Sequence, residues 1–162
     1  MNRFMALVLA ALSTSYASLA VAEPWGETRG WTILIDTGAG PACLMHKTFE
    51  DGLVVELGFV KEPSGAFFAA YHPDWEDADP NKTGLVEFHF DTVGFGGEVV
   101  NRSKGGLSGG YAFFNNPEFL SEFAGREAVK VIGPEGESFE VSLKGTSLAI
   151  KAVRECQAEQ DD

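Results

Sequence analysis

Short apolar runs of strand length alternate along the chain with clusters of Gly, Pro, Asp and Asn, the pattern of many short strands joined by turns. Trp31-Thr-Ile-Leu-Ile35 is a β-prone run ended by the turn-like Asp36-Thr-Gly-Ala-Gly-Pro41. A second strand should carry Cys43 through Thr48, with Glu50-Asp51-Gly52 turning the chain into Leu53–Leu57. Gly65–Tyr71 is a continuous apolar stretch, and Leu85-Val-Glu-Phe-His-Phe90 alternates between a buried and an exposed face. Val99 and Val100 mark another strand among glycines, and Val129–Ile132 and Phe139–Leu143 flank Gly133-Pro-Glu-Gly136 as a hairpin. Two segments change period. Asn116 can cap a helix with Pro117 at its first position, Phe119, Leu120 and Phe123 on one side, and Gly125 as its stop. Thr146 or Ser147 can cap a second, in which Leu148, Ala149, Ala152, Val153 and Cys156 form a buried stripe. The expected fold is mainly β (α+β), a single antiparallel β-sandwich or barrel-like domain with two short helices.

The first 22 residues fit a secretory signal rather than a core element. Arg3 supplies the positive start, Phe4–Leu12 the apolar centre and Ala20-Val-Ala22 the small-residue cleavage site. The apolar run is too short for a hydrocarbon core of ~30 Å, and no later stretch is long enough either. The expectation is an exported protein, periplasmic or secreted, without membrane insertion after cleavage. Its mature chain would begin at Glu23, fold as one domain over 23–157, and end in a fraying acidic tail at 158–162.

That compartment decides the cysteines. Cys43 and Cys156 are the only two, and in an oxidising environment their simplest fate is a disulfide. It would close a loop of more than a hundred residues, worth on the order of 4–5 kcal/mol in the chain-entropy account. Because Cys156 lies on the apolar stripe, the bridge would clip the C-terminal helix to the second strand. Charge narrows the partners. With 12 Lys+Arg against 24 Asp+Glu the net charge is −12, which repels phosphate backbones and anionic membrane surfaces and suits a basic partner.

Several motifs resemble catalytic or metal sites. Ile33-Leu-Ile-Asp36-Thr37-Gly38-Ala39 resembles the active-site loop of retropepsin-like aspartic peptidases, where paired loops from two subunits share a proton between carboxylates. Asp36 would then be the catalytic group and Thr37 its brace. The later Ile132-Gly133 runs into Pro134 instead of a helix, however, and a strand end with Asp and Gly in its turn accounts for the same residues. Gly106-Leu-Ser108-Gly-Gly110 satisfies a serine-nucleophile spacing, but no histidine follows it, since the last is His89, and a flexible glycine loop explains it better. Asp77-Ala-Asp79-Pro-Asn81-Lys-Thr-Gly84 has alternate oxygen ligands like a calcium loop, yet Lys82 stands where the glycine belongs and Phe88 where the bidentate glutamate belongs. His46, His72 and His89 lack metal spacing. No metal and no cofactor is expected. The aromatic groups Tyr71-His72-Pro-Asp-Trp75 and Tyr111-Ala-Phe-Phe114 put large rings beside polar turns, the composition of a recognition surface. Tyr71, His72, Trp75 and Tyr111 are its candidate binding residues.

Two blocks carry a family resemblance. Trp31-Thr-Ile-Leu-Ile-Asp36 with Cys43-Leu-Met-His-Lys47, and Ser142-Leu-Lys-Gly-Thr-Ser-Leu-Ala149 with Ile150-Lys-Ala-Val153, resemble the opening and closing segments of the invasion-associated locus B family. Those are small exported β-rich proteins of Gram-negative bacteria, linked in some pathogens to host-cell invasion. The resemblance implies the periplasm and a turn, not a catalytic loop, at Asp36-Thr-Gly38. Residues 50–115 lie outside it, and the extra cysteines of that family's middle are missing here. The expected function is therefore a non-enzymatic binding or envelope-associated protein that meets an envelope protein or small ligand through loops near 71–84 and 94–114. The alternative is a dimeric aspartic peptidase using Asp36.

Overall fold

In the computed structural model, residues 22–36, 42–61, 63–75, 79–80, 82–91 and 93–161 are described. The leader up to residue 21, and with it nearly all of the export-signal reading, lies outside them, as do Thr37, Gly38 and part of the acidic loop. Ten strands form one antiparallel sheet: β1 (Glu23–Thr28), β2 (Trp31–Asp36), β3 (Ala42–Thr48), β4 (Val54–Val60), β5 (Gly65–His72), β6 (Thr83–Phe90), β7 (Val93–Lys104), β8 (Leu107–Phe114), β9 (Ala128–Ile132) and β10 (Ser138–Ser142). A 3₁₀ helix spans Pro117–Phe123 and one α-helix, α1, spans Thr146–Asp161. Mainly antiparallel β with a disulfide-clipped C-terminal helix was the expected fold, and it is the observed one.

The spatial order is β1-β2-β3-β4-β5-β8-β7-β6-β9-β10. The first five strands meander. The chain then leaves β5, passes the ends of β8 and β7, and enters β6, so that β5 to β8 form a Greek key. The end of β5 and the start of β6 are therefore three strand spacings apart, roughly 14 Å. The described parts of this connection bring Asp74, Trp75, Asp79 and Lys82 to one end of the sheet. The sheet curls until Phe68 of β5 meets Phe88 of β6, with ring centroids 5.0 Å apart, but it does not close on itself.

The inner face holds the main core. At one end the 3₁₀ helix inserts Phe119 and Phe123 among the rings of Phe88, Phe90 and Phe114; Phe114 stacks on Phe119 at 3.6 Å and Phe90 meets Phe123 edge-on at 5.1 Å. Asn116 starts this helix as its spacing suggested, accepting the Glu118 N–H at 3.0 Å. Next to it α1 lies on β1, β2 and β3 and buries Thr146, Ala149, Ile150, Val153 and Cys156. The expected stripe is corrected in two respects, since Leu148 is 46 % exposed with Ile150 in the core position, and Ala152 is only partly buried against the core. Neither Thr146 nor Ser147 caps α1 through its side chain: the Thr146 hydroxyl turns inward, 2.8 Å from both the Phe123 and the Leu143 carbonyls, while Gly145 C=O accepts the first helical hydrogen bond from Ala149. The Cys43–Cys156 bridge joins α1 to β3, with both residues fully buried. The helix continues through Asp161, whose carboxylate pairs with Lys61 at 2.8 Å.

Residues 94–114 are not loops but the long hairpin β7–β8, turned by Gly105 and Gly106 at φ +59° and +83°. Positive φ at two successive positions suits glycine because it has no Cβ to clash. The Gly-Leu-Ser-Gly-Gly segment is thus a turn and the start of β8, and its Ser108 is 5 % exposed.

Candidate functional site

The end of the curled sheet opposite the phenylalanine cluster is open. A cleft of about 620 Å³ enters there, within the range of small-molecule pockets. Its floor is the alternate, inward set of five strands: Phe68 and Ala70 of β5, Val86 and Phe88 of β6, Val99 of β7, Ala112 of β8 and Val131 of β9. Phe88 belongs to both ends, closing the cleft from below and anchoring the phenylalanine cluster on its other side. Gly110 keeps the floor low, because a β-carbon there would fall 2.7 Å from Val99 Cγ2.

The lip comes from two connections. From the long β5–β6 excursion, Trp75 packs against Phe139 of β10 at 5.2 Å and against His72 at 5.7 Å. Its backbone N–H donates to the His72 carbonyl, and the Asp74 N–H donates to His72 Nδ1 at 3.1 Å, so the turn after β5 is braced by its own histidine. From the β9–β10 turn come Gly133, Pro134, Glu135 and Glu137. The Glu137 carboxylate accepts the Glu135 N–H at 2.9 Å and folds over Gly133, into the space a side chain would need. Lys82 reaches across to Glu135 at 2.9 Å, which raises the lysine and lowers the carboxylate through their shared hydrogen bond. In the open, such a pair contributes little to stability. Asn101 closes the remaining side, donating from its amide to the Asp79 carbonyl at 3.1 Å.

The four binding residues expected from sequence do not form one patch. Trp75 lines the cleft with His72 packed behind it, but Tyr71 of β5 and Tyr111 of β8 lie on the outer face, as the two-residue period of a strand requires. Tyr71 is 4 % exposed, in an apolar group with Leu44, Val54, Phe67 and Ala69. Tyr111 stacks on Phe67 at 5.1 Å under the Arg102 guanidinium, 3.8 Å from its ring centre. Beside them Glu56 is buried between His46 at 3.0 Å and Lys104 at 2.5 Å. Burial pushes the Glu56 carboxyl upward, but the hydrogen bonds from His46 and Lys104 outweigh it and the group lies below the usual carboxylate range. Burial first, and the Glu56 charge second, push the Tyr71 hydroxyl up to about 12. This outer-face network is a packed, satisfied assembly.

The fold has a known counterpart. The crystal structure of invasion associated protein B from Bartonella henselae superposes with a TM-score of 0.58 over 85 % of this chain and 99 % of that one, at 13 % sequence identity. At that identity the likeness is one of fold. No family model matches the sequence, and no curated protein matches it. The two blocks that carried the sequence resemblance are neighbours in space, because β2, β3 and the start of α1 pack together and the disulfide joins them.

Asp36 ends β2 half-buried on the outer face, where its charge reaches Tyr111. Thr37 lies outside the described residues, and so do Asp77 and Asn81 of the calcium-like segment. Among the described residues no group of three or more His, Cys, Asp or Glu side chains gathers as a metal site would need. Sequence reasoning missed Phe139, Glu137 and the Val86–Val99–Val131 floor. Each was assigned to a strand or turn, but strand order alone decides which of them meet.

Proposed function

We propose that the protein is an exported, non-enzymatic binding module of the cell envelope that holds a small ligand with an apolar body in the cleft beneath Trp75. One observation carries this reading: a cleft of about 620 Å³ with an apolar floor opens at one end of the core. Unfilled apolar space of this size loses packing contacts and is retained where something occupies it. Export is supported by the signal-like leader, by a structural disulfide of the kind that persists in oxidising compartments, and by the fold shared with an invasion associated protein.

Two measurements test this. Fractionation with N-terminal sequencing should find the mature chain in the periplasm or medium, starting at Glu23; an intact leader in the cytoplasm would overturn the export part. Titration with the neutral apolar dye N-phenyl-1-naphthylamine should give a saturable fluorescence rise in the wild type and a much weaker one in Trp75→Ala, at a temperature where both are fully folded. A dye signal that never saturates would overturn the binding part.

A further inference from the structure

The charges around the cleft say more about its occupant than the floor does. Among the described residues, the ionisable side chains lining it are the acids Asp74, Asp79, Glu135 and Glu137 and a single base, Lys82. Lys82 is already engaged by Glu135, so it offers little to an incoming anion. Glu137 is held in place by the Glu135 N–H, and the Asp74 side chain stands 90 % exposed at the mouth. The same lining holds the rings of Trp75 and Phe139, 5.2 Å apart, and aromatic faces of this kind attract a cation. Asn101, the polar side chain on the floor of β7, is turned to the Asp79 carbonyl, leaving the deep part of the cleft apolar down to Phe88.

Resting on the reading of the cleft as a ligand site, we propose that its occupant is a small amphipathic cation, an apolar aryl or alkyl body bearing an ammonium or guanidinium group. The body enters between Val86, Val99 and Val131, and the charged end remains at the lip near Glu137 and Trp75. A small molecule fits better than a protein surface, because the cleft runs inward to Phe88 and a group must insert to fill it rather than lie across it. The net charge of −12 adds a longer-range attraction in the same sense.

Three probes that share one body separate charge from burial: phenylbutylamine, phenylbutanol and phenylbutanoate, compared by calorimetry at neutral pH and low ionic strength. The ammonium should bind tightest and the carboxylate weakest, with about a tenfold ratio between them that shrinks at high salt. Glu137→Gln keeps the acceptor for the Glu135 N–H but removes the charge, and should reduce the ammonium's advantage by roughly threefold. Lys82→Gln should leave it unchanged or enlarge it. Equal binding of all three, or tightest binding of the carboxylate, would overturn the cationic ligand while leaving the cleft as a site. Binding of none of the three would overturn the cleft reading as well.

Discussion

The two ends of the curled sheet use the same kinds of residue to opposite effect. At the closed end, Phe90, Phe119 and Phe123 interlock, α1 covers β1 to β3, and a buried disulfide fixes the arrangement. At the open end, Trp75 and Phe139 are half-buried, glycines replace side chains on β8, and the loop that crosses the mouth is held by exposed ion pairs and backbone hydrogen bonds. Rings packed on three sides stabilise the fold. Rings left with an empty side can bind. Phe68 and Phe88 stand at the partition, each lining the cleft floor and meeting Phe123 of the closed end.

This contrast predicts a graded set of effects. Cys43→Ser with Cys156→Ser should be the largest, since the bridge spans 113 residues. The loss should be on the order of 4–5 kcal/mol by chemical denaturation. Phe123→Ala should cost about 3–5 kcal/mol by emptying the centre of the aromatic cluster, and it should leave ligand affinity in the folded fraction intact. If it abolished binding at temperatures where the fold persists, the two ends would not be separable.

The outer face gives an intermediate effect with a definite pH sign. Tyr71 is raised in the folded state to about 12, so the unfolded chain ionises first as pH climbs above 10; Tyr71 should contribute a fall in stability of about 2–3 kcal/mol through that window, and Tyr71→Phe should remove that share while the raised Tyr111 keeps its own. Glu56 is shifted the other way. Its contribution is present above the ordinary carboxylate range and is lost as pH falls through its lowered folded value, which Glu56→Gln should flatten in an acid titration. The smallest effect on stability belongs to the lip: Trp75→Ala should cost about 1 kcal/mol or less by thermal melting, because the ring is only half-buried. A large loss there would mean that the lip is core after all.

Strand positions were legible in the sequence because period-2 patterning and turn residues are local signals, and the runs beginning at Trp31, Cys43, Gly65, Leu85 and Val129 each lie within a strand. Three features were not legible. The Glu23–Thr28 strand has too few apolar residues to declare itself, and it depends on pairing with β2. The glycines of β7 and β8 read as a loop because their pairing partners, not their own propensities, hold them extended. Leu148 sits on the exposed side of α1 because the face packed on the sheet runs through Thr146, Ala149, Ile150, Val153 and Cys156, and position 148 falls outside that stripe. The candidate site was half legible. Trp75 beside a polar turn was visible as a surface ring, but its meeting with Phe139, 64 positions away, follows only from the strand order that sets β5 apart from β6, β9 and β10.

The central claim is that one end of this sheet binds and the other only holds. Methyl-resolved NMR of the folded protein titrated with phenylbutylamine tests it most directly. The account predicts saturable shifts at the Val86, Val99 and Val131 methyls and the Trp75 indole, with Leu120, Leu143 and Val153 unmoved. Shifts centred on Leu120 and Val153, or on the outer-face pair Leu44 and Val54, would contradict it.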